Sequence, residues 1–166
     1  MVRHVKWTLS ALAQRRGRTL HKCAGLSSNW IYSLAQDHTG QLWAGTQHGL
    51  CRLVADPTRG KRIVARAYGA ADGLPHDEVH SICEASDGRL WIGMLRGFAE
   101  FVDGANATRI NFRSYTTAQG VNDRGIFHMM EDRAGNLWLG TEGSGAVKIV
   151  RGGFTTYTRM AFPPLA

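Results

Sequence analysis

The sequence predicts an all-β chain, a partial β-propeller of about three four-stranded antiparallel blades built from tandem 47–48-residue repeats. Three observations predict it. Gly25, Gly73 and Gly120 open segments 48 and 47 residues apart. A Trp follows each of them after 18 residues, at Trp43, Trp91 and Trp138. Each Trp lies in a similar word: Leu42-Trp43-Ala44-Gly45, Leu90-Trp91-Ile92-Gly93 and Leu137-Trp138-Leu139-Gly140. Another Gly comes at Gly49, Gly97 and Gly145, and Tyr68 and Tyr115 stand five residues before the next opening Gly. A fixed period of about 20–50 residues marks a repeat architecture, and short β-rich runs between tight turns mark propeller blades.

The elements of a unit follow in order. In the second, Val79 to Glu84 reads as a first strand and Asp87-Gly88 as a tight turn. Arg89 to Gly93 is the second strand and Phe98 to Val102 the third, while Ile63 to Tyr68 illustrates the fourth. The other units turn on Asp37-His38-Thr39-Gly40 and Asp132-Arg133-Ala134-Gly135. Phe154 to Tyr157 matches a last fourth strand, and Thr19-Leu20-His21-Lys22 stands where a preceding one would. Strict alternation along the first strand groups Ile31, Ser33 and Ala35 on one side and Tyr32 and Leu34 on the other. The second unit gives Val79, Ser81 and Cys83 against His80 and Ile82, and the third gives Ile126, His128 and Met130 against Phe127 and Met129. Neither side is uniformly polar, so this strand is expected to be buried on both faces between neighbouring blades. Trp43, Trp91 and Trp138, with Gly45, Gly93 and Gly140, are read as the structural core of the repeat, the large aromatics filling the gap between blades. The resulting division is a basic segment over 1–19, repeats over 20–68, 69–115 and 116–160, and a tail over 161–166.

Composition fits a folded chain: 166 residues, 43% hydrophobic, 20% charged and 20 Gly. No apolar run approaches the roughly 18 residues of a membrane span. The net charge of +7 is concentrated at the start, where Arg3, Lys6, Arg15, Arg16, Arg18 and Lys22 precede the first acid, Asp37. The aromatic platforms and clustered Arg of a nucleic-acid surface are not interleaved there, so it reads as a solvated segment. Residues 1–13 lack the uninterrupted apolar stretch of a secretory leader, leaving a cytoplasmic location open. Cys23, Cys51 and Cys83 are odd in number and far apart, which implies neither a zinc site nor a disulfide framework.

The chemistry-bearing residues gather in loops. His76-Asp77-Glu78-Val79-His80 places two His four apart, but that spacing serves a metal on a helix, and here it enters a strand after Pro75. No metal, cofactor or catalytic residue is assigned. In a four-stranded blade, the link into the first strand and the link between the second and third lie at one end. Those links carry Asn29, Trp30, Gln47 and His48 in the first unit, and His76, Asp77 and Arg96 in the second. The third carries Asn122, Asp123, Arg124 and Glu142. Their chemistry differs from unit to unit while the core words repeat, which makes them the candidate ligand-binding residues.

Gly73-Leu74-Pro75 with Val79, Ile82, Gly88, the Trp91 word and Gly97 resembles the two-component regulator propeller repeat. The segments from Gly120-Val121-Asn122 to Gly140-Thr141 and from Gly25-Leu26 to Gly45-Thr46 resemble it as well, so the likeness covers about residues 20–160. The resemblance implies seven-bladed periplasmic propellers of bacterial sensor proteins, joined through a membrane helix to a histidine kinase, hybrid kinase or diguanylate cyclase. It implies ligand sensing, often of glycans or their breakdown products. With three units, no kinase or cyclase motif and no membrane segment, the chain reads as a non-enzymatic fragment of such a sensor. Its expected partners are a small-molecule or glycan ligand and the remaining blades or a second copy of the chain. The alternatives are an interaction scaffold that closes its ring by self-association, and a fragment of a propeller-type lyase or hydrolase.

Overall fold

The computed structural model describes residues 25–54, 64–102, 111–117, 125–143, 145–150 and 153–157. The basic segment, Cys23, the Gly120–Arg124 stretch, Ser144 and the tail lie outside them.

Twelve strands form three four-stranded antiparallel sheets, each in simple sequence order. The first blade holds β1 (Ile31–Gln36), β2 (Leu42–Thr46), β3 (Gly49–Leu53) and β4 (Val64–Tyr68). The second holds β5 (Val79–Glu84), β6 (Leu90–Met94), β7 (Phe98–Val102) and β8 (Asn111–Tyr115). The third holds β9 (Ile126–Glu131), β10 (Leu137–Thr141), β11 (Ala146–Val150) and β12 (Gly153–Tyr157). The β1–β2 and β5–β6 turns close on Gly40 and Gly88, whose amides reach Asp37 O and Ala85 O at 2.9 Å with φ of 84° and 83°. That backbone region is one that Gly enters without steric cost.

The blades stack through two similar cores. The first joins Trp43, Leu50 and Tyr68 of blade one to Val79, Ile92 and Met94 of blade two, with Phe101 and Phe112 packed against them. Trp43 meets Phe101 edge-on at 5.1 Å. The second joins Trp91 and Phe98 to Ile126, Leu139 and Val147 of blade three. Trp43 and Trp91 are 3% and 4% exposed, whereas Trp138, on the far side of blade three, is only half-buried. A smaller cluster of Leu26, Ala44, Cys51 and Leu53 covers the other side of blade one.

The glycine of the Trp word has a steric reason. A Cβ on Gly45 would lie 2.7 Å from Val79 O, and one on Gly93 would lie 2.9 Å from Ile126 O. The first strand of the following blade therefore runs directly over this position. Gly140 has its nearest neighbour, His128 Cβ, at 3.5 Å.

Two sequence expectations are corrected. Strict alternation fails along the first strands, because each carries a β-bulge. Ile31 pairs with Thr46 and Ser33 with the adjacent Gly45, so Tyr32 is the extra residue. His80 is the extra residue between Val79 and Ser81, and Phe127 between Ile126 and His128. Because residues paired across two strands share a face, Ile31 and Ser33 point to opposite faces. Burial on both faces also fails for β1: Ile31, Tyr32 and Leu34 are exposed, since among the described residues no blade packs on that side.

Candidate functional site

The two links of each blade are pinned together by one backbone hydrogen bond. Gln47 N donates to Trp30 O at 3.1 Å, Leu95 N to Glu78 O at 3.1 Å, and Glu142 N to Gly125 O at 3.0 Å. Gly49 N donates to Asp77 O at 2.7 Å and ties the hairpin of blade one to the entry link of blade two. Among the described residues, the links of each blade thus form a fixed backbone frame with varied side chains, and those of blades one and two are continuous.

Trp30 is the most exposed large apolar residue among those described, at 67%, and its amide donates to Ser28 Oγ. Asn29, His48, Asp77, Arg96 and Glu142 are exposed, and Gln47 and His76 half-buried. Several are held locally. His76 Nδ1 accepts from Glu78 N at 3.0 Å, and Asp77 Oδ1 accepts from Ala70 N at 3.0 Å. Asn122, Asp123 and Arg124 lie outside the described residues. His76 and His80 differ in setting: one caps its own turn, the other joins a ring stack.

That stack is a feature the sequence reading missed. The three bulged residues turn toward one another along the inner strands. Tyr32 stacks on His80 with centroids 4.6 Å apart, and His80 meets Phe127 at 4.5 Å. A bulge re-aims its side chain out of the sheet alternation. His80 Nε2 is buried without a hydrogen-bond partner, 3.5 Å from Glu78 Oε2. Burial pushes the His80 imidazole below its ordinary value, and Glu78 only partly opposes that. An aromatic at the same position of every unit was the available signal.

The opposite end carries clasps between blades. Glu84 closes β5 and accepts from His38 N at 2.8 Å and His38 Nδ1 at 2.6 Å. Glu131 closes β9 and accepts from Ser86 N at 2.7 Å and Ser86 Oγ at 2.8 Å. The hydrogen bond to Glu84 and its charge raise the His38 pKa. Among the described residues, no three His, Cys, Asp or Glu side chains converge as a metal site, and no helix is long and apolar enough to cross a membrane.

A profile described as two component regulator propeller matches residues 25–48, 73–96 and 120–143. The three units are two component regulator propeller repeats. Each matched span runs from the entry link through the bulged first strand and the Trp strand to the hairpin, so the repeat contains both halves of the end face. Comparison with curated proteins finds no match. Among solved structures, the chain is similar to the extracellular domain of the hybrid two component system BT3049 from B. thetaiotaomicron. The likeness has 24% identity and a TM-score of 0.66 over 80% of this chain and 17% of that one. The extracellular domain of the hybrid two component system BT4673 from the same organism matches at 21% identity. Its TM-score is 0.62, over 89% of this chain and 18% of that one. These likenesses establish the propeller fold. The repeats span less than a fifth of the length of either structure.

Proposed function

We propose that these repeats are part of a ligand-sensing propeller of a bacterial two-component or related signalling protein, acting outside the cytoplasm without catalysis of their own. The observation that carries the reading is the contrast within the end face. One backbone hydrogen bond recurs in all three blades, while the side chains beside it change from Trp30 and His48 to His76 and Arg96 to Glu142. A constant frame with varied polar and aromatic groups is what a specific recognition surface requires. Trp30 supplies an accessible ring for stacking on a sugar, which makes glycan-derived ligands the class to test first. Periplasmic placement and an output domain elsewhere in the signalling protein follow from the same family reading. The exposed Leu34 and Met130, on the inner strands of the outer blades, favour further blades packing there.

The test is a thermal-shift screen of soluble oligosaccharides, repeated on Trp30→Ala and Arg96→Ala. At least one ligand should raise the melting temperature of the parent chain. Both variants should lose that shift while melting normally without ligand. A ligand whose shift survives both substitutions would remove the end face from the mechanism, and a screen without a hit would count against glycan sensing.

A further inference from the structure

We infer that His80 is a proton-sensitive latch: neutral, it holds the inner strands of the three blades in one ring column, and protonated, it leaves that column. The ring is the middle member of the column, between Tyr32 of β1 and Phe127 of β9. It is thus, among the described residues, the one ionisable imidazole whose ring stacking involves all three blades. A buried polar atom without a partner calls for an explanation. Nε2 is such an atom, and Glu78 Oε2 stands 3.5 Å away, at ion-pair distance without hydrogen-bond geometry.

Opposing effects decide what a proton does here. Glu78 and Glu142, the latter in the β10–β11 hairpin, attract positive charge, and His76 repels it. The ring faces of Tyr32 and Phe127 also favour a cation. Burial resists charge and prevails, so the imidazole is held below its ordinary value. An imidazolium formed on acidification stands 3.5 Å from Glu78 Oε2, and closing that gap to hydrogen-bond distance draws the ring toward Glu78 and out of register with Tyr32 and Phe127. Glu78 O holds Leu95 N of the β6–β7 hairpin, so the movement reaches the end face. None of this depends on what the end face binds.

The folded pKa lies below the unfolded one. The contribution is therefore fully present above about pH 6.5 and is lost as pH falls toward the folded value. The experiment follows the His80 Cε1 proton by NMR on the 166-residue chain. We expect a midpoint below about 6.5, with the Tyr32 and Phe127 ring signals titrating on the same curve, and a further fall in Glu78→Gln. His80→Phe, which copies the ring found at Phe127, should abolish the acid-side decline in melting temperature over that range. His38 is retained in both proteins, so its opposite titration cancels in the comparison. A midpoint at or above the ordinary value with unmoved Tyr32 and Phe127 would overturn the latch. So would an unchanged pH slope in His80→Phe. If His80→Phe fails to fold, the NMR titration of the parent chain decides alone.

Discussion

Single residues set the spacing of the blades. Gly45 and Gly93 are glycines because the carbonyls of Val79 and Ile126 occupy the space of a Cβ. Gly45→Ala and Gly93→Ala should each cost about 1–3 kcal/mol or more by overpacking. Gly140→Ala, with 3.5 Å of clearance, should cost far less in a urea denaturation series on this chain. Two aspartates act on Trp strands, Asp37 on that of blade one and Asp132 on that of blade three. Partial burial raises the pKa of Asp37, but bonds from the Thr39 hydroxyl, the Trp43 indole and the Gln41 and Thr39 amides outweigh it and hold it low. Bonds from the Trp138 indole and the Asn136 amide hold Asp132 well below the carboxylate range. Both folded pKa values lie below the unfolded value of about 3.9. Their stabilisation is thus present above that pH and lost as pH falls toward the folded values. Melting temperatures between about pH 5 and pH 2 should fall less in Asp37→Asn and Asp132→Asn than in the parent chain.

At the scale of the elements, a Trp strand counts only when a blade covers it. Trp43→Ala and Trp91→Ala remove side chains buried between two sheets and should each cost about 3–5 kcal/mol. Trp138→Ala removes a half-buried one and should cost clearly less by denaturant unfolding. The Leu-Trp-x-Gly words were legible in the sequence as a recurring pattern, and so were the Asp87-Gly88 turn and the strands on either side of it. The reason for the glycine was not legible, because the atom it avoids belongs to a residue 34 positions later, Val79 against Gly45. The bulges were not legible either. An extra residue at Tyr32, His80 or Phe127 changes no composition and leaves alternation looking intact, yet it reverses the face of every residue before it. Hence the end-face loops were found in the sequence, and the ring column beneath them was not.

For the whole molecule, the organisation is linear. Among the described residues each blade packs its core on the next one in sequence, so stability divides into blade terms and interface terms, as in other repeat proteins. Blade two is covered on both sides: Trp43 and Leu50 press on one face, Ile126, Leu139 and Val147 on the other, and every residue of β6 is buried. It is also clasped at one end, through Glu84 to His38 and through Ser86 to Glu131. Blade one has β1 largely exposed, and blade three has its Trp only half-covered. Amide protection follows the free energy of local opening. Hydrogen exchange read by mass spectrometry should therefore find β5 to β7 the slowest, with β1 exchanging earliest among the inner strands. Gly45→Ala sharpens the test, because it damages one interface and leaves the other intact. Protection should fall through blade one and on the Val79 side of blade two, while β9 to β11 keep their parent rates. A uniform loss across all three blades would instead mean that the chain opens as one cooperative unit, and the linear description would fail.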